Sequence, residues 1–166
     1  GKPFADFAGY VAVPKDKSHD HAAPVASGKA NPVRWEIEMC RGPVREMKLQ
    51  AGNALQYAQR ELRAKAGEGI ALVFENPDIM PHNFVLVAQG AEEKVAALSA
   101  KMVAEPDGYA RHYVPETPEV LCYSRMVDPG RKTTVYFNAP KEPGRYAYFC
   151  SFPGHAQLMR GVLVVE

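Results

Sequence analysis

Residues 144–165 read GRYAYFCSFPGHAQLMRGVLVV, two apolar stretches joined by a loop rich in proline and glycine. In the first stretch Tyr146, Tyr148 and Cys150 alternate with Arg145, Ala147 and Phe149. Period two defines a strand, with the two tyrosines and the cysteine on its inward face as core packing. The second stretch, GVLVVE, is dense in valine and reads as the next strand. The loop between them carries a thiol, an imidazole and a thioether at Cys150, His155 and Met159, in the spacing Cys-x4-His-x3-Met.

Working outward, the same strand-and-turn pattern recurs. VRWEIEMC (33–40) alternates Trp35, Ile37 and Met39 against charged residues. GIALVFEN (69–76), HNFVLV (82–87), EVLCYSRMV (119–127) and KTTVYFNAP (132–140) are further apolar runs. They are bounded by AGEG, Asn76-Pro77-Asp78, DPGR and APKEPG, all turn chemistry. Regularly spaced short strands with such turns predict an all-β sandwich or small barrel. One segment departs from it. AEEKVAALSAKMV (91–103) has Glu92 and Glu93 in its first turn and Val95, Leu98 and Met102 on one face, with Pro106 and Gly108 beyond. That is a short amphipathic helix inserted between two strands. Residues 1–32 are different again: PKDKSHDHAAPVASGKANP (14–32) is linker chemistry. The expected division is an N-terminal arm or linker over 1–32 and one domain over 33–166.

The chain has 166 residues and a net charge of +1, enough for one domain with a substantial core. Its scattered lysines and arginines give no stripe for nucleic acid. No apolar run reaches the roughly 18 residues of a membrane span. The expectation is an exported, periplasmic or similar protein, its export signal absent from this sequence. Three cysteines, Cys40, Cys122 and Cys150, allow two readings. Either Cys40 and Cys122 form a disulfide and Cys150 is the functional thiol, or both are reduced, buried small hydrophobes.

A thiolate and an imidazole so close in sequence, with a thioether just beyond, suit a soft, redox-active metal. Structural zinc sites prefer paired cysteines, which this chain lacks. Two histidines and a cysteine in a plane, with a distant axial methionine, make a type 1 copper site. The C-terminal loop holds one histidine, so a second comes from His19, His21, His82 or His112. His82 has the strongest context, in NPDIMPHNFVL at a tight junction between strands. His19 and His21 lie in linker-like sequence, and His112 reads as an ordinary packing residue, as do Met80 and Met102.

With AGEGIALVFENPDIMPHNFVL, YVPETPEVL, PGRKTTVYFNAP and the opening stretch together, residues 45–166 resemble a cupredoxin of the azurin and auracyanin type. The resemblance implies a Greek-key β-sandwich. It implies His82, Cys150 and His155 as equatorial copper ligands and Met159 as the weak axial one. It further implies that Asn83 cross-links the two ligand loops through Ser151, where azurins carry threonine. The backbone N–H groups of Asn83 and Phe152 are expected to point at the Cys150 sulfur. Pro81 stands where azurins have glycine, as in plastocyanins, and Phe84 replaces azurin's core tryptophan.

The function so implied is one-electron transfer by a single Cu(II)/Cu(I) centre, by a carrier and not an enzyme. Alternatives are copper storage or delivery, or the type 1 domain of a larger copper oxidoreductase. Partners would be redox proteins such as c-type cytochromes, or a membrane or fused oxidoreductase. The electron is expected to enter where the His155 ring edge reaches the surface, among Met80, Pro81, Phe152, Pro153 and Leu158.

Overall fold

The computed structural model describes residues 43–166. The arm over 1–32, the strand VRWEIEMC, the His19/His21 pair and the Cys40–Cys122 pairing lie outside the described residues. Nine strands and one helix follow one another along the described chain: β1 (Val44–Gly52), β2 (Gln56–Tyr57), β3 (Glu61–Ala64), β4 (Gly69–Asn76), β5 (Val85–Val87), α1 (Glu92–Lys101), β6 (Val120–Tyr123), β7 (Arg131–Asn138), β8 (Gly144–Phe149) and β9 (Arg160–Val165). A 3-10 turn, Met102–Ala104, extends α1. No helix among the described residues is long and apolar enough to cross a membrane.

The strands form two sheets, ordered β2-β1-β4-β7 and β3-β9-β8-β5-β6. β1 runs parallel to β4, and β3 parallel to β9. The antiparallel pair β8/β9 sets Tyr148 opposite Gly161 and Phe149 opposite Arg160. The inner faces meet in a core that includes Leu49, Ile70, Leu72, Phe74, Leu86, Val135, Tyr148 and Leu163. Tyr146, Tyr148 and Cys150 all join it, as their alternation predicts. Gly161 lets Tyr148 lie flat across β9, because a Cβ there would meet the ring at 2.2 Å.

Helix α1 covers the outer face of the second sheet. Val95 and Ala96 pack with Val85, Val87, Tyr123 and Phe149 in a second cluster. β5 is therefore buried on both faces, which is why Val85, Leu86 and Val87 read as an unbroken apolar run. Leu98, expected on the buried helix face, is only half-buried, and Ser99 is buried instead.

Strands β1 to β3 were not expected from the sequence. β1 buries Val44, Met47, Leu49 and Ala51, but two consecutive exposed residues, Arg45 and Glu46, interrupt its alternation. β2 and β3 are two and four residues long. A segment that short has no measurable period, and only its neighbours hold it in a sheet. Of the expected strand HNFVLV, regular pairing begins at Val85; His82 makes a single isolated bridge to Val127.

Candidate metal centre

The strand β4 ends at Asn76, and the chain turns back to β5 through Pro77–Phe84. Asn76 organises that turn with its side chain. Its Nδ2 donates to the carbonyls of Met80 and Val127, both at 2.8 Å, and its Oδ1 accepts from the N–H of Asp78 at 3.1 Å. His82 and Val127 exchange backbone hydrogen bonds, at 3.1 and 2.7 Å. These contacts set His82 with 0% exposure at the inner end of the loop.

The second loop, from Cys150 to Met159, closes on itself through its backbone. The N–H of His155 donates to Phe152, those of Leu158 and Met159 donate to His155, and that of Cys150 donates to Met159 at 3.0 Å. Gly154 supplies the left-handed φ of 83° that the turn requires. The result brings Met159, 0% exposed, back beside Cys150 in the core.

Asn83 ties the two loops together. Its Nδ2 donates to Ser151 Oγ at 2.8 Å, and its Oδ1 accepts from the Ser151 N–H at 2.8 Å. Both Asn83 Nδ2 and Ser151 Oγ also donate to the carbonyl of His112, at 3.1 and 3.0 Å. Below, Tyr57 donates its hydroxyl hydrogen to the Asn83 carbonyl at 2.6 Å. Its ring stacks edge-on against Tyr148 at 5.2 Å, and Phe84 lies 5.4 Å from the Tyr148 ring. The aromatic floor leaves the loops no room to sink.

Three donor atoms meet above that floor. The sulfur of Cys150 lies 3.7 Å from His82 Nδ1 and 3.6 Å from His155 Nδ1. All three donors fall within 4.8 Å of one another, and all three residues are buried. Burial pushes the Cys150 thiol up to about 12, against the opposing pull of backbone N–H groups from Asn83 and Phe152. Burial likewise lowers His155 to about 4, and His82 adds to that effect. A buried thiol with two N–H groups aimed at it and two imidazoles beside it is a donor set short of one cation. The residues fit copper.

His155 is only 3% exposed, so the expected open ring edge is almost wholly roofed over. Phe152 covers it, ring centroid to ring centroid 4.7 Å. Around this pole Leu158 is 58% exposed and Ile79, which the sequence reading passed over, is 87% exposed. Met80, Pro81, Phe152 and Pro153 are half-buried there. His112 turns away from the donors, its Nδ1 accepting from the Met126 N–H at 3.2 Å. Met102, the first residue of the 3-10 turn after α1, is buried.

Sequence reasoning missed three contributors. Asn76 and Asp78 read only as turn residues, and the part of His112 that matters is its carbonyl. Main-chain acceptors carry no residue signature. The left-handed backbone at His112 and Tyr113, φ 56° and 54°, is what aims it.

This two-sheet sandwich, with a cysteine and two histidines gathered at one end, defines the cupredoxin class. Residues 45–166 match the family of copper-binding proteins of the plastocyanin/azurin type, and the chain belongs to that family. It is 32% identical to auracyanin-A of Chloroflexus aurantiacus over 127 residues, 75% of this chain and 76% of that one. It is 30% identical to azurin iso-2 of Methylomonas sp. strain J over 129 residues, 73% and 97% of the two chains. The solved structure of auracyanin A superposes with a TM-score of 0.68 at 29% identity, covering 74% of this chain and 99% of that one. The cofactor is one type 1 copper, and the protein is an electron carrier of the blue copper class.

Proposed function

We propose that His82 and His155 through Nδ1, Cys150 through Sγ and Met159 through its thioether would hold the copper ion. The observation that carries this is the approach of the three donors to within 4.8 Å in a buried setting. Bound there, copper supplies a one-electron Cu(II)/Cu(I) couple. The protein's part is to hold the donors still. Asn83 and Ser151 lock one loop to the other, Pro81 stiffens the backbone before His82, and the N–H groups of Asn83 and Phe152 temper the charge on sulfur. A ligand set that does not rearrange between oxidation states keeps the barrier to transfer small.

The protein so read is a carrier and not an enzyme. The enclosed donors speak against copper delivery, which needs an exchangeable, exposed site. Ile79 and Leu158, with Phe152 and Pro153, form the apolar contact surface for a transient redox partner such as a c-type cytochrome, or a membrane or fused oxidoreductase. The setting is the periplasm or another exported compartment, and residues 33–166 act as the copper domain behind an arm or linker over 1–32.

The test is reconstitution with Cu(II). The wild-type protein is expected to turn intensely coloured and to bleach on reduction, and Cys150→Ser to lose the colour entirely even if copper still binds. A Cys150→Ser protein that kept the intense visible band would overturn the ligand assignment.

A further inference from the structure

The two histidine rings are held in different ways. The His155 ring is flanked by Phe152, whereas Nε2 of His82 lies 2.9 Å from Oδ2 of Asp78. A carboxylate only accepts hydrogen bonds, so the ring hydrogen of His82 belongs on Nε2. That leaves Nδ1 as a bare lone pair on the side facing Cys150 Sγ, 3.7 Å away.

Asp78 is itself held. Its other oxygen, Oδ1, accepts from the N–H of Ile79 at 2.7 Å, and its own N–H donates to Asn76 Oδ1. Asn76 is anchored in turn on the Met80 and Val127 carbonyls. A chain of contacts thus runs from the end of β4 to the far side of one imidazole. The carboxylate is 24% exposed and the histidine side chain 0%, so solvent screens the pair only in part.

We propose that Asp78 is a positioning residue of the copper centre: it fixes the tautomer and orientation of His82 and places a negative charge behind that ring which favours Cu(II) over Cu(I). The inference rests on the reading of His82 as a copper ligand. A carboxylate behind a ligating imidazole makes its metal-facing nitrogen a stronger donor and stabilises the more highly charged oxidation state. Asp78 therefore lowers the reduction potential.

Two variants and a control test this. Asp78→Asn removes the charge and keeps only one acceptor oxygen, so its NH2 group faces either the Ile79 N–H or His82 Nε2; Asp78→Ala removes both oxygens. In metal-free protein, long-range 1H–15N NMR should find His82 protonated at Nε2 in the wild type. The Asp78→Ala variant should show a mixture of tautomers. In the copper protein, Asp78→Asn should keep the colour and weaken the preference for Cu(II) about tenfold, which is about 59 mV upward for one electron. The Asp78→Ala variant should move the potential at least as far and also alter the visible and EPR spectra. The exposed Glu46→Gln, on β1, is the control for general charge loss and should leave the potential where it was. Potentials in both Asp78 variants equal to the control, or a wild-type His82 protonated at Nδ1, would overturn the inference while leaving a blue copper site intact. A wild-type protein that never develops the intense band would overturn the reading of the centre and this inference together.

Discussion

The loop before His82 and the loop from Cys150 to Met159 bring donor groups to one point by opposite means. The first is pinned from outside and within: Asn76 and Val127, far apart in sequence, hold its backbone, and Asp78, inside the loop, holds its histidine ring. The second is a self-contained turn whose main-chain bonds run among its own residues. One loop depends on the sandwich around it and the other mainly on its own local sequence. Asn83 and Ser151 couple the two, so the site has the rigidity of both.

Removing that coupling should have the largest effect. Asn83 is wholly buried, and its amide makes three hydrogen bonds to the opposite loop and the His112 carbonyl. Asn83→Ala strands their partners in the interior and should cost about 3 kcal/mol in urea unfolding. If the loss were a few tenths, the two loops would be independent.

Breaking the first loop alone should cost less. Asn76→Ala leaves the Met80 and Val127 carbonyls without their side-chain donor, worth about 2 kcal/mol. Hydrogen exchange should then speed up over residues 77–82 and stay slow at the amides of His155 and Met159. Equal loosening of both loops would erase the contrast between them.

The second loop is expected to yield to a purely local change. Gly154 has φ 83° and open space where a Cβ would go, so Gly154→Ala meets backbone strain and no clash. The cost should be about 1 kcal/mol, with faster exchange confined to residues 152–158.

The smallest effect concerns the acceptor that both loops share. Burial, with help from Arg125, lowers the pKa of His112 below its ordinary 6.5. As pH falls below 6.5 the unfolded chain takes up a proton that the folded protein resists, so this contribution to stability declines on acidification. His112→Asn tolerates the left-handed backbone, keeps the carbonyl and cannot titrate. Its stability should fall less steeply than wild type below pH 6.5 in parallel denaturant titrations; identical slopes would rule out His112 as the titrating group.

The contrast between the loops also explains what could be read in advance. Cys150, His155 and Met159 lie on ten consecutive residues, and the turn that gathers them needs only Pro153, Gly154 and local hydrogen bonds. Tyr146, Tyr148 and Cys150 betray their common face because strand period is a local property. His82 was legible by its setting between Pro81 and Asn83. The helix was legible by its acidic first turn and apolar spacing, although Leu98 ended half-buried.

What escaped was decided mainly by partners distant along the chain. β1 and β3 take their strand character from parallel pairing with β4 and β9, and the two-residue β2 from antiparallel pairing with β1. Parallel neighbours are joined by no tight turn, so nothing local announces them. Asn76 and Asp78 look like any turn residues until Val127 and the His82 ring are brought against them. The His112 carbonyl becomes a shared acceptor only when its loop folds over Ser151. The sequence by itself determined which donors this protein has and how one loop presents them. Only the tertiary structure decided what orients His82 and what locks the loops together, because those contacts join groups that local periodicity cannot connect.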